Sequence, residues 1–228
     1  RAVRRESPPC CACETSPEAP QAQATMQGLS NGSMTWGDYD NDGNLDLLMT
    51  GSNEFNSGRN PISCQTRLYK QNADHSFTAQ NKGIIDVSEG NAAWGDYDND
   101  GDLDLIITGV TSYISINGKI DSYTTKLYQQ NSADHSFTEQ TTISLAAACR
   151  SSVAWGDYDN DGDLDILLSG DAEGSCITKI YTNNGDNSFT EQYQAVLEGV
   201  SFGSAAWGDY NNDGYLDVLE TGINSSGL

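Results

Sequence analysis

The sequence predicts an all-β fold made of β-propeller blades, each of four antiparallel strands, with three blades complete and a fourth partial. Three observations predict it. One segment recurs four times, the residues between its copies recur as well, and no stretch shows the 3.6-residue period of a helix.

The recurring segment reads WGDYDNDGNLDLLMTG from Trp36 to Gly51 and WGDYDNDGDLDLIITG from Trp94 to Gly109. Its third and fourth copies are WGDYDNDGDLDILLSG from Trp155 to Gly170 and WGDYNNDGYLDVLETG from Trp207 to Gly222. The tryptophans lie 58, 61 and 52 residues apart, too far for solenoid coils and enough for a blade of four short strands.

Between the copies lie TRLYKQNADHSFTAQ (66–80), TKLYQQNSADHSFTEQ (125–140) and TKIYTNNGDNSFTEQ (178–192). Each unit therefore parses into a strand ending at Trp-Gly, a Leu-Asp-Leu/Ile strand, a Leu-Tyr or Ile-Tyr strand and a Ser-Phe-Thr strand, with turn formers between. The expected blades span about 34–80, 92–140, 153–192 and, in part, 205–228 of a repeat region over 25–228. Small residues before the tryptophan, such as Ala92-Ala93 and Ala205-Ala206, suit an inner strand crowded near an axis.

Residues 1–24, rich in Pro, Arg, Ser and Glu, lie outside the repeat and read as an irregular tail or linker. A chain starting at Arg1 is expected to be a processed product or a piece of a longer protein. Closed propellers usually have more blades. An open edge strand invites completion by further copies, as a homo-oligomer or filament.

Thirty-three acidic against 11 basic side chains give a formal charge of −22, which argues against nucleic acid and anionic membrane as partners. No apolar run approaches the roughly 18 residues that cross a bilayer, so no membrane insertion is expected. The acidity is concentrated: fifteen Asp occupy positions one, three, five and nine of four loops.

In the first loop these are Asp38, Asp40, Asp42 and Asp46, with Gly43 at the sharp turn and Asn44 at position seven. Alternation brings the carboxylates of positions one, three and five to one point, position seven offers its carbonyl, and position nine closes the site. The second loop has Asp96, Asp98, Asp100, Asp102 and Asp104; the third has Asp157, Asp159, Asp161, Asp163 and Asp165. The fourth has Asp209, Asn211, Asp213, Tyr215 and Asp217, and Asn211 removes one carboxylate and weakens the site. Oxygen ligands without nitrogen or sulfur describe a hard cation, and flexible carboxylates favour Ca²⁺ over Mg²⁺. About four Ca²⁺ sites are expected.

The plainer alternative is an Asp-rich turn that satisfies only its own backbone. An EF-hand needs a bidentate Glu at position twelve and flanking helices. Here position twelve is Met49, Ile107 or Leu168, with Glu220 only in the last copy, and the flanks read as strands.

On these loops the sequence resembles the FG-GAP/VCBS family of integrin-like β-propeller repeats, over roughly residues 26–228, with Trp-Gly where many members have Phe-Gly. The resemblance implies calcium loops between the first two strands of each blade. It also implies an extracellular or cell-surface location and a non-enzymatic role in adhesion, ligand display or scaffolding, with a protein or carbohydrate ligand. Two alternatives stand beside it: a structural subunit of a homo-oligomeric or filamentous surface assembly, and a carbohydrate-binding scaffold of a polysaccharide-active enzyme. No catalytic pair is visible, because nearly every well-placed Asp already belongs to a loop.

Other residues have simpler readings. His75 and His135 sit in Ala-Asp-His-Ser-Phe turns, where neighbouring side chains diverge and form no triad. Trp36, Trp94, Trp155 and Trp207 are expected in blade packing, and Tyr69, Tyr128, Tyr181, Phe77, Phe137 and Phe189 in blade cores. Cys10, Cys11, Cys13, Cys64, Cys149 and Cys176 suit disulfides in a secreted chain, with Cys64 and Cys176 one blade too far apart to pair together. Asn31-Gly32-Ser33 and Asn224-Ser225-Ser226 match the N-glycosylation sequon.

Overall fold

The computed structural model describes residues 26–58, 60–114, 119–193 and 197–226, so the 1–24 tail with Cys10, Cys11 and Cys13 lies outside the described residues. Among these there is no helix, and the EF-hand reading falls with it. Fourteen antiparallel strands follow one another as meanders.

The first sheet is β1 (Met34–Gly37), β2 (Asp46–Gly51), β3 (Gln65–Gln71) and β4 (Phe77–Gln80), in that spatial order. The second repeats it with β5 (Ala92–Gly95), β6 (Asp104–Ile114), β7 (Lys119–Asn131) and β8 (Ser136–Glu139). The third has β9 (Cys149–Gly156), β10 (Asp165–Ala172), β11 (Ser175–Asn183) and β12 (Phe189–Glu191). The last pair, β13 (Val200–Gly208) and β14 (Asp217–Asn224), joins the third sheet through Ile177 opposite Val200.

That link is a single residue pair. The first strands of the third and fourth units begin at Cys149 and Val200 and continue past a register shift at Ser169/Asp171 in one and Ser201/Ser204 in the other. A bulge absorbs one residue without ending the ladder, and strand propensity alone does not reveal it.

Register explains how the sheets meet. Leu47 lies opposite Trp36 and Tyr69; Leu105 lies opposite Trp94 and Tyr128, and Ile166 opposite Trp155 and Tyr181. These rows form one face of each sheet, and the intervening residues form the other. Leu105 and Tyr128 pack on Leu48, Leu68 and Tyr39 of the first sheet, while Ile166 and Tyr181 pack on Ile106 and Leu127 of the second. Val218 and Trp207 meet Leu167 and Ile180 of the third in the same manner. The central strands are therefore buried on both faces, which is why they read as unbroken apolar runs rather than alternating ones.

The tryptophans consequently pack between sheets as well as on the Phe of their own sheet, Trp94 on Phe137 and Trp155 on Phe189. Trp94 stacks on Tyr39 of the preceding repeat with centroids 6.4 Å apart, Trp155 on Tyr97 at 6.2 Å and Trp207 on Tyr158 at 5.8 Å. Each indole lies against the Gly of the preceding Trp-Gly. A Cβ at Gly37, Gly95 or Gly156 would sit 2.6–2.7 Å from Cδ1 of the following Trp. Trp36 lacks such a neighbour and is 50% exposed; at the other end Leu219 of β14 is 72% exposed. Tyr69, Tyr128 and Tyr181 are buried as expected, with Phe137 and Phe189 packed beside the two inter-sheet clusters.

Cys64, Cys149 and Cys176 are free thiols, Cys149 fully buried and the other two partly.

Candidate metal centres

Each acidic loop joins the first two strands of its repeat, and its backbone is organised before any ion is considered. Asp38 accepts the N–H of Asp42 at 3.0 Å on Oδ1 and that of Gly43 at 2.8 Å on Oδ2. Asp96, Asp157 and Asp209 repeat this pair of bonds in their loops. At position five, Asp42, Asp100, Asp161 and Asp213 each accept the N–H of position seven at 2.9 Å. The glycine between them has φ of 88–96°, a conformation that other residues adopt only with strain.

Position nine has a structural task that its spacing did not reveal. Asp46 accepts the N–H of Tyr39 at 3.1 Å and that of Gln71, on β3, at 2.8 Å. Asp104 does the same with Tyr97 and Gln130, and Asp165 with Tyr158 and Asn183. These carboxylates are fully buried and tie the loop to the third strand of the sheet. Asp217 has the first of these bonds, from Tyr210 at 3.1 Å.

Three carboxylates converge in three of the loops: Asp38, Asp40 and Asp42; Asp96, Asp98 and Asp104; and Asp157, Asp159 and Asp165. In each group one oxygen per residue lies within 4.8 Å of the others. The fold thus draws Asp46 out of the first group and leaves Asp100 and Asp161 beside the second and third. In the fourth loop, Asn211 hydrogen-bonds to Asp213 instead.

Position three bears most directly on whether the loop is a self-satisfied turn or a cation seat. Oδ1 of Asp40 and Oδ1 of Asp98 are buried with no hydrogen-bond partner, and the Asp40 side chain is only 9% exposed. A buried carboxylate oxygen without a donor is costly and is normally answered by a cation. Burial followed by the neighbouring Asp100 raises the Asp98 carboxyl, and burial followed by Asp161 raises Asp159. The residues present fit a hard cation.

The first loop differs from the others. The Lys70 ammonium hydrogen-bonds to Asp40 and lies 2.7 Å from Oδ2 of Asp42. Hydrogen bonds from Lys70, then from Asn44, hold the Asp42 carboxyl below its ordinary value. At the same register in the second repeat, the uncharged Gln129 bonds to Asp98.

A further set of residues escaped the sequence reading. Asn41, Asn99 and Asn160, at loop position four, take left-handed φ of 55–63°. Asn41 Nδ2 donates to Asp102 at 2.8 Å, Asn99 to Asp163 at 2.7 Å and Asn160 to the carbonyl of Gly214 at 2.8 Å. Each loop thereby holds position seven, or the glycine before it, in the next. The available signal was an Asn at this place in all four copies, Asn212 included. His75 and His135 occupy left-handed turn positions, and His135 Nδ1 bonds to Gln130 at 2.9 Å, in keeping with a turn role.

A family model described as FG-GAP-like repeat matches three consecutive stretches, residues 38–107, 113–168 and 168–220. The chain belongs to the FG-GAP-like repeat family. The first stretch holds two of the acidic loops and the second and third one each, so all four loops lie within the match. No curated protein matches the chain. A solved structure of an Agrocybe aegerita lectin, described for specific recognition of non-reducing terminal N-acetylglucosamine, is similar at 14% identity with a TM-score of 0.46. The likeness covers 83% of this chain and 60% of that one, so the FG-GAP-like chain spans less than two thirds of the lectin's length.

Proposed function

We propose that this chain is an extracellular calcium-binding β-propeller module, each FG-GAP-like repeat forming one blade, with a non-enzymatic role in adhesion, ligand display or scaffolding. The unpartnered buried oxygens of Asp40 and Asp98, inside loops that offer only oxygen, support this reading most directly. Asp38, Asp40 and Asp42 in the first loop, Asp96, Asp98 and Asp104 in the second, and Asp157, Asp159 and Asp165 in the third would hold the ions, with Asp209, Asp213 and Asp217 as a weaker fourth set. Bound Ca²⁺ would supply positive charge where carboxylates otherwise repel one another. Extracellular modules of this affinity class fill at ~1 mM calcium and stay empty at cytosolic levels, which fits a secreted or surface location. Calcium counting by native mass spectrometry on the metal-stripped, then reloaded chain tests the proposal. Three or four ions per chain are expected, and a chain that takes up none ends it.

Lys70 sharpens the test. Replacing it with Gln, the residue of the second repeat, is expected to tighten calcium binding at the first loop by about tenfold or more. A unit charge ~4 Å from a divalent ion costs ~2 kcal/mol even at the permittivity of water. Calorimetric titration of K70Q against wild type should show one class of sites strengthened; identical isotherms would mean that Lys70 does not contest the ion.

A specific observation also favours self-assembly. Met34, Trp36 and Leu45 are exposed at one end of the stack, and Tyr210 and Leu219 at the other. These are the surfaces that adjacent repeats cover on each other inside the chain. A second copy would cover them by the same stacking. Light scattering in calcium buffer should report a dimer or larger species, and a strictly monomeric chain would discount assembly.

A further inference from the structure

We propose that the start of the first strand in each repeat builds a second site, separate from the calcium loops, that binds a neutral saccharide. Of the five residues before each Trp, the first is the most divergent, carrying Asn31, Glu89, Arg150 and Phe202, whereas the second is Gly or Ser, the third Ser or Asn, the fourth Met, Ala or Val and the fifth Thr or Ala. All four have left-handed backbones, with φ of 54°, 49°, 49° and 54°. In three of the repeats the next residue is a glycine pressed against the second strand, where a Cβ on Gly32, Gly90 or Gly203 would lie 1.7–2.0 Å from a carbonyl oxygen; the third repeat has Ser151 there. Gly or Asn would fill the left-handed position at least cost, whereas Glu, Arg and Phe fill it with strain. The four positions that follow vary only within narrow classes from unit to unit. This one varies in chemistry and bears strain, as a binding position does.

The four side chains share one open groove of about 470 Å³. Arg150 Nε donates to Oε2 of Glu89 at 3.1 Å, its Nη1 donates to Asp171 at 3.3 Å, and its guanidinium lies 4.6 Å from the Phe202 ring centroid. The Tyr113 hydroxyl fixes the other Glu89 oxygen at 3.1 Å. The groups are therefore held in place by one another rather than by a ligand. Charge then selects the ligand class. The single guanidinium is already met by two carboxylates, in a chain of net charge −22, which rejects anions. A second cation over the Phe202 ring would be repelled by Arg150. What remains is an aromatic ring 62% exposed, fixed carboxylate and guanidinium hydrogen-bonding groups, and the Asn31 amide. A pyranose, with one apolar C–H face and a rim of hydroxyls, matches that set.

The test uses the whole chain made in a bacterial host, which leaves Asn31 unglycosylated, and amide NMR in calcium buffer with a panel of neutral mono- and disaccharides. Dissociation constants on the order of 1 mM are expected for single sugar units, with shifts centred on the amides of Gly90, Arg150 and Gly203. F202N removes the ring but suits the left-handed backbone. It should lose at least about tenfold in affinity while melting no lower than wild type. Three results overturn the proposal: no shifts with any saccharide, shifts unchanged in F202N, or shifts in this groove only with an ammonium ligand such as choline.

Discussion

Stripped of calcium, the protein should melt at a lower temperature at pH 8 than at pH 5, and calcium should narrow that difference. The cause lies in the position-nine carboxylates. Burial, opposed by N–H donors from the third strand and reinforced by neighbouring Asp, raises Asp46 to about 6, Asp104 to about 7 and Asp165 to about 6, from an ordinary value of 3.8. A folded state with raised carboxyl pKa holds more protons than the unfolded chain between pH 4 and 7, so stability falls as pH rises through that window. Each shift corresponds to a loss on the order of 3 kcal/mol when complete above pH 7. Calcium acts oppositely, because deprotonated loops bind it best. Each site with a Kd on the order of 10⁻⁴ M adds ~1.4 kcal/mol at ~1 mM calcium. Three or four sites amount to a melting shift of about 10–20 °C in a chain of this length. Scanning calorimetry with and without EDTA at both pH values reads the result directly. A metal-free protein more stable at pH 8 would contradict the burial of uncompensated charge in these loops.

The second large effect is expected at the seams between repeats. Trp155→Ala removes an indole stacked on Tyr97, packed against Phe189 and hydrogen-bonded to the Ala93 carbonyl at 3.3 Å, and should cost about 3–5 kcal/mol. Trp36→Ala removes the same residue type at the same register from a half-exposed site, and about 1 kcal/mol or less is expected. Glycine gives a parallel contrast. Gly95→Ala drives a methyl group into Trp155 and should cost about 1–3 kcal/mol, whereas a methyl group at Gly208 would meet no atom within 4 Å, so Ala should be accepted there at little cost. Urea unfolding of the four variants separates the cases. Equal losses at Trp36 and Trp155 would show that the tryptophans act within their own sheet and not across the seam.

Much of this architecture was open to reading in one dimension. Four strands per unit, their order and the loop between the first two follow from in-phase repetition, since strands need only local residue types and turn formers. The oxygen-only donor set was equally legible, because every donor lies within nine residues of one loop, although which carboxylates converge (one, three and five in the first loop, one, three and nine in the second and third) was not. The double use of Asp104 was not. Whether it faces an ion or the N–H groups of Tyr97 and Gln130 depends on β7, which pairs only after the hairpin closes. Nor was the Asn41 to Asp102 bond, between residues 61 apart.

Composition and period by themselves determined the all-β class, the repeat unit and the oxygen-only donor set of the loops, because each is encoded within one turn or one strand. Only the tertiary structure decided which face of each sheet meets its neighbour, which tryptophans are covered, and that Asn31, Glu89, Arg150 and Phe202 share one groove. Those outcomes depend on contacts between units more than fifty residues apart, where nothing in the local pattern distinguishes a covered surface from a bare one.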